Sequence, residues 1–242
     1  MIELQDVHKK LGDREILKGL TLTVPKGMNF VLMGPSGTGK SVTLKHVIGI
    51  FRPDRGTVRV DGQDVPSMDR AQLMTLRRRM GYLFQNGALI NWLTVAENVA
   101  LPLEEHSRLP RGDVEDRVHE VLRLVGMERA ADQHPPSISG GMKLRAGLAR
   151  ALVTNPEYVL YDEPNAGLDP IISQQIHELI TEVRDRLSVT GLIVTHSRAC
   201  ALHCGDHVGI LEDGRLGVEG PVDEIVNSEH PLARAFLGGG AD

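Results

Sequence analysis

The chain has 242 residues, a size typical of one large domain or two small ones. Its 27 Lys and Arg against 32 Asp and Glu give a net charge of −5, which excludes a strong basic field, so no nucleic-acid partner is expected. Hydrophobic residues at 41% and charged residues at 24% are typical of folded globular chains. Because neither a signal-peptide pattern nor an apolar run of roughly 20 residues occurs, we expect a cytoplasmic protein without a membrane span.

The first sixty residues predict short β-strands, because apolar runs and alternating patterns are separated there by turn residues. The predicted strands cover residues 2–7, 20–24, 29–33 and 57–60. This beginning of the chain is therefore rich in strands.

The rest of the chain alternates helical and strand patterns. Apolar residues recur at helical spacing over residues 113–125, and a second helix is predicted after the N-cap residue Asp169. Unbroken apolar runs at 158–161 and 192–194 are typical of strands buried in a parallel sheet. Asp213-Gly214 predicts a hairpin between residues 207–212 and 215–219. The order predicts an α/β protein with a helical insertion.

A phosphate-binding loop is the strongest motif. The pattern G-x-x-x-x-G-K-[ST] is matched, directly after the strand at 29–33, by Gly34-Pro35-Ser36-Gly37-Thr38-Gly39-Lys40-Ser41. Glycines let several backbone N–H groups face one phosphate chain, while Lys40 reaches the β- and γ-phosphates and Ser41 coordinates Mg²⁺. The alternative, a glycine-rich turn with an exposed lysine, is disfavoured by the flanking strand and helix. We expect nucleotide phosphate as the ligand.

Two acidic residues follow the buried strand at 158–161. They emerge at the carboxyl edge of the predicted sheet, where ligands of such folds bind. Asp162 is expected to hold the Mg²⁺ shell, and Glu163 to polarise the attacking water. The alternative is a strand-end turn with two solvated acids.

Polar side chains also end two other strands. His196 follows the strand at 192–194 and suggests a γ-phosphate contact, against the alternative of a buried, hydrogen-bonded histidine. Gln85 ends the run at 82–84, and its neutral amide is suited to orienting a water or completing the metal shell. Both side chains are therefore expected at the same edge of the sheet.

A second glycine-rich turn, Ser139-Gly140-Gly141, precedes the helical run at 143–152. Exposed N–H groups and the helix dipole would make it another anion site, although a simple capped helix is the alternative. One γ-phosphate does not need two such cradles in one chain. We therefore predict a homodimer in which the turn of each protomer closes on the nucleotide held by the other.

Read together, these motifs resemble the ATPase subunit of ABC transporters over essentially the whole chain. The resemblance implies a P-loop NTPase (RecA-like) core of mostly parallel sheet, with an antiparallel β subdomain and an inserted α-helical subdomain. It places the core at 1–86 and 156–242 and the helical signature subdomain at 87–155. It also implies ATP and Mg²⁺ as cofactors, with catalytic roles for Glu163 and His196.

The ABC resemblance makes residues 138–142 the signature segment. This segment, which ends in Met142, and the segments at 83–89 and 97–103 resemble the ATPases of Mla/Mce-type phospholipid transport. That likeness implies a peripheral protein on the cytoplasmic face of the bacterial inner membrane, moving phospholipid between the inner and outer membranes. The implied partners are an integral permease, an Mce lipid-binding protein and a STAS-domain protein. Another ABC system for lipoprotein, lipopolysaccharide or solutes, or a soluble non-transport ABC ATPase, is the alternative.

Two further features concern ligand and partner contacts. Leu11 stands where many relatives carry an aromatic residue that stacks on adenine, so we expect it to be a weak contact and adenine selectivity to be modest. The apolar segment 86–93, with Trp92, is the predicted permease contact, against the alternative of a packed subdomain core.

Overall fold

A computed structural model describes residues 1–106 and 109–238. Its strands, in chain order, are β1 (Ile2–Leu11), β2 (Arg14–Val24), β3 (Asn29–Met33), β4 (Arg55–Val60), β5 (Gln63–Asp64), β6 (Met80–Leu83), β7 (Tyr158–Asp162), β8 (Thr190–Thr195), β9 (His207–Glu212) and β10 (Arg215–Pro221). Its helices are α1 (Lys40–Val47), α2 (Arg70–Arg78), α3 (Val95–His106), α4 (Arg111–Leu124), α5 (Gly140–Leu152), α6 (Pro170–Leu187), α7 (Arg198–Cys204), α8 (Val222–Val226) and α9 (Pro231–Leu237).

The central sheet has the strand order β10-β9-β3-β8-β7-β6, and every neighbouring pair except β9–β10 is parallel. All residues of β3 and β8 are buried, as expected for strands covered on both faces. A second, antiparallel sheet has the order β2-β1-β4-β5. The predicted α/β class, with its mostly parallel core and separate antiparallel sheet, is confirmed.

The first hairpin is longer than the sequence pattern predicts. β1 continues to Leu11 and β2 begins at Arg14, so only Gly12 and Asp13 separate the two strands. Pairing shifts register between Lys9 and Lys10, which marks a bulge near the hairpin tip. Alternation of apolar and polar residues fails there because the tip projects beyond the buried part of the sheet.

Helices α3, α4 and α5 lie between β6 and β7 in the chain and pack against one another. Their contacting sides are apolar and buried, with Val99, Val118 and Leu148 at 5% exposure or less. Helix α5 also lies directly on β6, since a Cβ atom built on Gly81 would be 2.4 Å from the Ala151 carbonyl oxygen. The inserted helices are thereby anchored to the edge of the parallel sheet. No helix in the described ranges is long and apolar enough to span a membrane.

An ion cluster around Asp61 joins both sheets. Its Oδ1 accepts a hydrogen bond from Tyr158 Oη at 2.6 Å and lies 2.9 Å from Lys26 Nζ, while Oδ2 accepts from Arg79. Partial burial raises the pKa of this carboxyl, but hydrogen bonds from the Met1 α-ammonium, Tyr158, Lys26 and Arg79 lower the pKa more, so the net shift is well below the ordinary value. The ionised carboxylate therefore holds together the ends of β4 and α2 and the start of β7.

We predict that Asp61→Asn lowers the free energy of unfolding by about 2 kcal/mol at pH 7, because several charge-assisted hydrogen bonds weaken together. A folded-state pKa below the unfolded value stabilises the fold at pH above about 4, and this contribution is lost as the pH falls toward the folded pKa. Urea unfolding at pH 7, 5 and 3.5 measures the difference, which should shrink only at the lowest pH. Asp116→Asn, on the exposed side of α4, is the control; an equal loss in both variants would contradict the assignment.

Candidate functional site

The loop between β3 and α1 curls tightly over the end of the parallel sheet. Gly34 has φ of +149°, and a Cβ atom there would lie 2.3 Å from the Leu211 carbonyl oxygen. Gly39 precedes α1 at φ of +111°. No other residue type fits Gly34 without moving the backbone of β9. The conformation thus requires the glycine pattern and leaves the N-terminus of α1 facing the loop.

Lys40 is held inside this loop. Its side chain is 6% exposed, and Nζ donates to the carbonyl oxygens of Gly34 at 2.8 Å and Pro35 at 3.1 Å. The same ammonium lies 3.5 Å from Glu163 Oε1. A buried cation with three oxygen neighbours is positioned to exchange carbonyl contacts for phosphate oxygens.

Ser41 and Asp162 meet although they are 121 positions apart. Ser41 Oγ donates to Asp162 Oδ1 at 2.7 Å, and Tyr82 Oη donates to Asp162 Oδ2 at 3.0 Å. Burial, and then the charge of Asp162, raise the pKa of Tyr82 far above its ordinary value, so the phenol stays protonated and donates. A hydroxyl beside a carboxylate supplies the hard oxygen ligands that Mg²⁺ prefers, so these residues fit that ion.

Glu163 connects the loop to His196. It adopts a left-handed backbone conformation at φ of +51°, which is unfavourable for a residue with a Cβ atom and is typical of functional sites. Its Oε2 lies 2.9 Å from His196 Nδ1 and also accepts from the His196 backbone N–H at 3.3 Å. With 14% exposure, the carboxylate is largely shielded from solvent, whereas His196 is 58% exposed. The structure therefore brings Lys40, Glu163 and His196 together at one edge.

Gln85 lies at the same edge but outside this contact network. The register pairs Leu83 with Tyr161, so Gln85 and Glu163 each lie two residues beyond this pair on neighbouring strands. The Gln85 side chain makes no hydrogen bond within the described part of the chain, and the residue is exposed. Its assignment to the metal shell stays a prediction.

A cavity of about 350 Å³ opens along the loop. Besides the predicted phosphate-loop residues and Glu163, its lining includes Arg14 and Ile16 from β2, which sequence reasoning missed. Leu11 is 39% exposed and is not among the lining residues. The only sequence feature that could have indicated a role for Arg14 and Ile16 in the cavity was their position just after the Gly12-Asp13 turn. The complete lining is Arg14, Ile16, Ser36, Gly37, Gly39, Lys40, Ser41, Val42 and Glu163.

The second glycine-rich turn caps α5 as predicted, and Ser139 Oγ accepts from the Met142 backbone N–H at 3.3 Å. Ser139 and Gly140 are exposed, whereas Gly141 packs so closely that a Cβ atom would lie 2.5 Å from Ile172 Cγ2. None of these residues lines the cavity at the phosphate loop. Within one chain the two glycine-rich turns thus face different spaces.

Comparison with known proteins agrees with this geometry. The profile described as "ABC transporter" matches residues 17–166. The Mycobacterium tuberculosis "Probable ribonucleotide transport ATP-binding protein mkl" is 42% identical over 98% of this chain, which spans 66% of that protein's length. The Escherichia coli "Intermembrane phospholipid transport system ATP-binding protein MlaF" is 39% identical over 100% of this chain and 90% of that protein.

Solved cassettes share the fold. The dimeric post-hydrolysis structure of the ATP-binding cassette MJ0796, bound to ADP and Pi, has a TM-score of 0.83 and 33% identity, covering 91% of this chain and 98% of that one. The cbiO1 cassette from Clostridium perfringens has a TM-score of 0.84 and 28% identity, covering 91% and 88%. The chain therefore belongs to the ABC transporter family and is an ATPase cassette of that family.

Proposed function

We propose that this chain drives phospholipid transport between the bacterial inner and outer membranes by hydrolysing MgATP in two sites, each shared by two copies of the chain. The observation that carries the hydrolytic part is the position of Glu163, whose carboxylate lies 3.5 Å from Lys40 and 2.9 Å from His196 at the edge of the loop cavity. A shielded carboxylate in this place is suited to acting on a water beside the terminal phosphate.

Phosphate binding falls to the loop and α1. Backbone N–H groups of Gly37 and Gly39 and the N-terminus of α1 provide positive partial charge, and Lys40 adds a full charge. Ser41 and Asp162 would hold Mg²⁺, which neutralises charge on the β- and γ-phosphates when bound. Tyr82 fixes the Asp162 carboxylate in orientation through its hydrogen bond.

Proton transfer falls to Glu163, which accepts the proton of the attacking water. His196 holds the carboxylate through Nδ1, which leaves Nε2 for a phosphate oxygen. Gln85 follows the neighbouring strand and orients the same water or completes the metal shell. The three side chains then differ in role: base, orienting donor and neutral ligand.

A second copy of the chain completes each site. Ser139, Gly140 and Gly141 are turned away from the cavity of their own chain, yet the α5 N-terminus is a suitable γ-phosphate cradle. Head-to-tail pairing places it over the loop of the partner and, by twofold symmetry, does so twice. Dimeric structures of a related cassette support this arrangement.

The transport assignment rests on relatives. The MlaF name states intermembrane phospholipid transport, whereas the mkl name states ribonucleotide transport. We infer the MlaF-like role because that relative is matched over nearly its whole length. It implies an integral permease, with Mce and STAS-domain companions, at the cytoplasmic face of the inner membrane. Other ABC transport systems are the alternative.

The permease contact is assigned to the helical subdomain at 87–155. Trp92 is 80% exposed, so the alternative of a packed core is wrong for this residue. Its loop is held by the fully buried Asn98, whose Nδ2 donates to the carbonyl oxygens of Ile90 and Leu93 at 3.0 and 3.2 Å, and whose Oδ1 accepts from the Ile90 N–H at 2.7 Å. An exposed indole on a fixed loop suits a partner surface.

Glu163→Gln tests the chemistry. Loss of the base should lower ATP turnover by at least about 100-fold, while ATP binding changes little because the phosphate cradle is intact. Phosphate release and equilibrium ATP binding measure the two effects. The control is Glu178→Gln on the exposed side of α6. Unchanged turnover in Glu163→Gln would remove the assignment of the base.

Mixed dimers test the shared site. Lys40→Ala and Ser139→Arg should each abolish turnover alone, because each variant damages both sites of its own dimer. Mixing them forms dimers with one intact site and should recover roughly one quarter of wild-type turnover, since about half of the dimers are mixed. Wild-type hydrolysis by Ser139→Arg alone would contradict a site that needs the partner's turn.

Trp92→Glu tests partner docking and the lipid assignment. The variant should no longer copurify with a permease from its native membrane, whereas Ile50→Glu, at a site 56% exposed, should copurify normally. ATP binding should be equal in both.

Lipid extracted from the wild-type complex should be phospholipid, with an Mce protein among the companions. Copurification of Trp92→Glu with the permease would count against the contact at Trp92. A complex that carries another substrate would count against the phospholipid assignment.

A further inference from the structure

We propose that Arg14 is the residue that contacts the nucleotide base, by stacking its guanidinium plane on it, and that the chain consequently takes purine nucleoside triphosphates with little discrimination between ATP and GTP. This inference rests on the proposed nucleotide site and concerns its other end, where the base lies.

Arg14 lies where two cavities meet. The cavity of about 350 Å³ along the phosphate loop and a neighbouring one of about 610 Å³ share Arg14, Ile16, Ser36 and Gly37 in their linings. Lys40, Ser41 and Glu163 line only the first. A nucleotide whose phosphates occupy the first cavity therefore reaches the second by passing Arg14 and Ile16.

In the described part of the chain, the charge of Arg14 contributes, after Lys18, to the lowered pKa of the Asp213 carboxyl, but the guanidinium has no direct partner. It makes no hydrogen bond or ion pair there, whereas the nearby Lys18 is paired with Asp213. A free guanidinium is planar and more weakly hydrated than an ammonium, so it stacks readily on an aromatic ring. Arg14 also sits opposite Leu11 in the register of the hairpin. It thus provides the planar group that Leu11 lacks.

Ile16 provides an apolar neighbour. A Cβ atom built on Gly39 would lie 3.1 Å from Ile16 Cγ2, so this side chain rests directly against the loop. Stacking and apolar contact accept any base, because every base has a π-face. Rejection of guanine would need a buried donor or acceptor at the base edge, but none of the polar side chains that line the second cavity is buried, and the Asp213 carboxylate among them is 80% exposed. ATP and GTP are therefore expected to bind alike.

The test is calorimetric titration of the full-length chain with ATP, GTP and inorganic triphosphate, each with Mg²⁺. Wild-type Kd values for ATP and GTP should agree within about threefold. Arg14→Ala should weaken both about tenfold and leave inorganic triphosphate unchanged. Arg14→Tyr should restore nucleotide binding, whereas Arg14→Lys, which keeps the charge and loses the plane, should resemble Arg14→Ala. Arg78→Ala, an exposed charge-matched change on α2, should have no effect.

Three results would overturn the inference. Arg14 would instead be a phosphate ligand if Arg14→Ala weakened the binding of inorganic triphosphate as much as that of the nucleotides. The same conclusion would follow if Arg14→Lys restored nucleotide binding and Arg14→Tyr did not. A wild-type preference for ATP beyond about tenfold would refute the substrate class. Failure of the proposed nucleotide site has a different signature: wild-type protein would bind neither nucleotide nor triphosphate, or Lys40→Ala would leave triphosphate binding intact.

Discussion

The site depends on the parallel packing of β3, β8 and β7, and two of their carboxyl ends are linked by the hydrogen bond between Ser41 Oγ and Asp162 Oδ1. This hydrogen bond joins residues that follow β3 and end β7, two strands that are not neighbours, because β8 lies between them. Parallel strands present their carboxyl ends on one edge, so the loop, the acids and His196 after β8 converge there without further support. The buried strands therefore determine the positions of the polar residues at their carboxyl ends.

The charged groups at this edge of the sheet contact one another. Lys40 is buried against Glu163 and two loop carbonyls, and Glu163 in turn contacts His196. Each ionised group therefore has an oppositely charged or hydrogen-bonding neighbour, which offsets the desolvation that burial imposes. The left-handed backbone of Glu163 places its carboxylate between the other two groups. A triphosphate would replace contacts that already hold the side chains in place, so little reorganisation accompanies binding.

In the function we propose, a single chain leaves the site incomplete at both ends of the nucleotide. At the phosphate end, the close packing of Gly141 on Ile172 fixes the second glycine-rich turn away from the loop, and a partner copy supplies the missing cradle in the function we propose. At the proposed base end, the cavity is lined by Arg14 and Ile16 from the hairpin and by no aromatic residue. Such a site would bind the phosphates strongly and accept either purine base. This suits a cassette in which hydrolysis of the phosphoanhydride bond, and not the identity of the base, drives the motion.

From the sequence alone, the phosphate loop, the strand-end acids, the hairpin at 207–219 and the α/β class were predictable, because each depends on local spacing or on runs of buried residues. The caps of α5 and α6 by Ser139 and Asp169 were predictable for the same reason. The roles of Arg14, Asn98 and Tyr82 were not, since each contact joins segments distant in the chain or depends on which side of a loop faces solvent. Only the tertiary structure decided that Trp92 is exposed and that the two glycine-rich turns face different spaces, because packing of the helical insertion determines both.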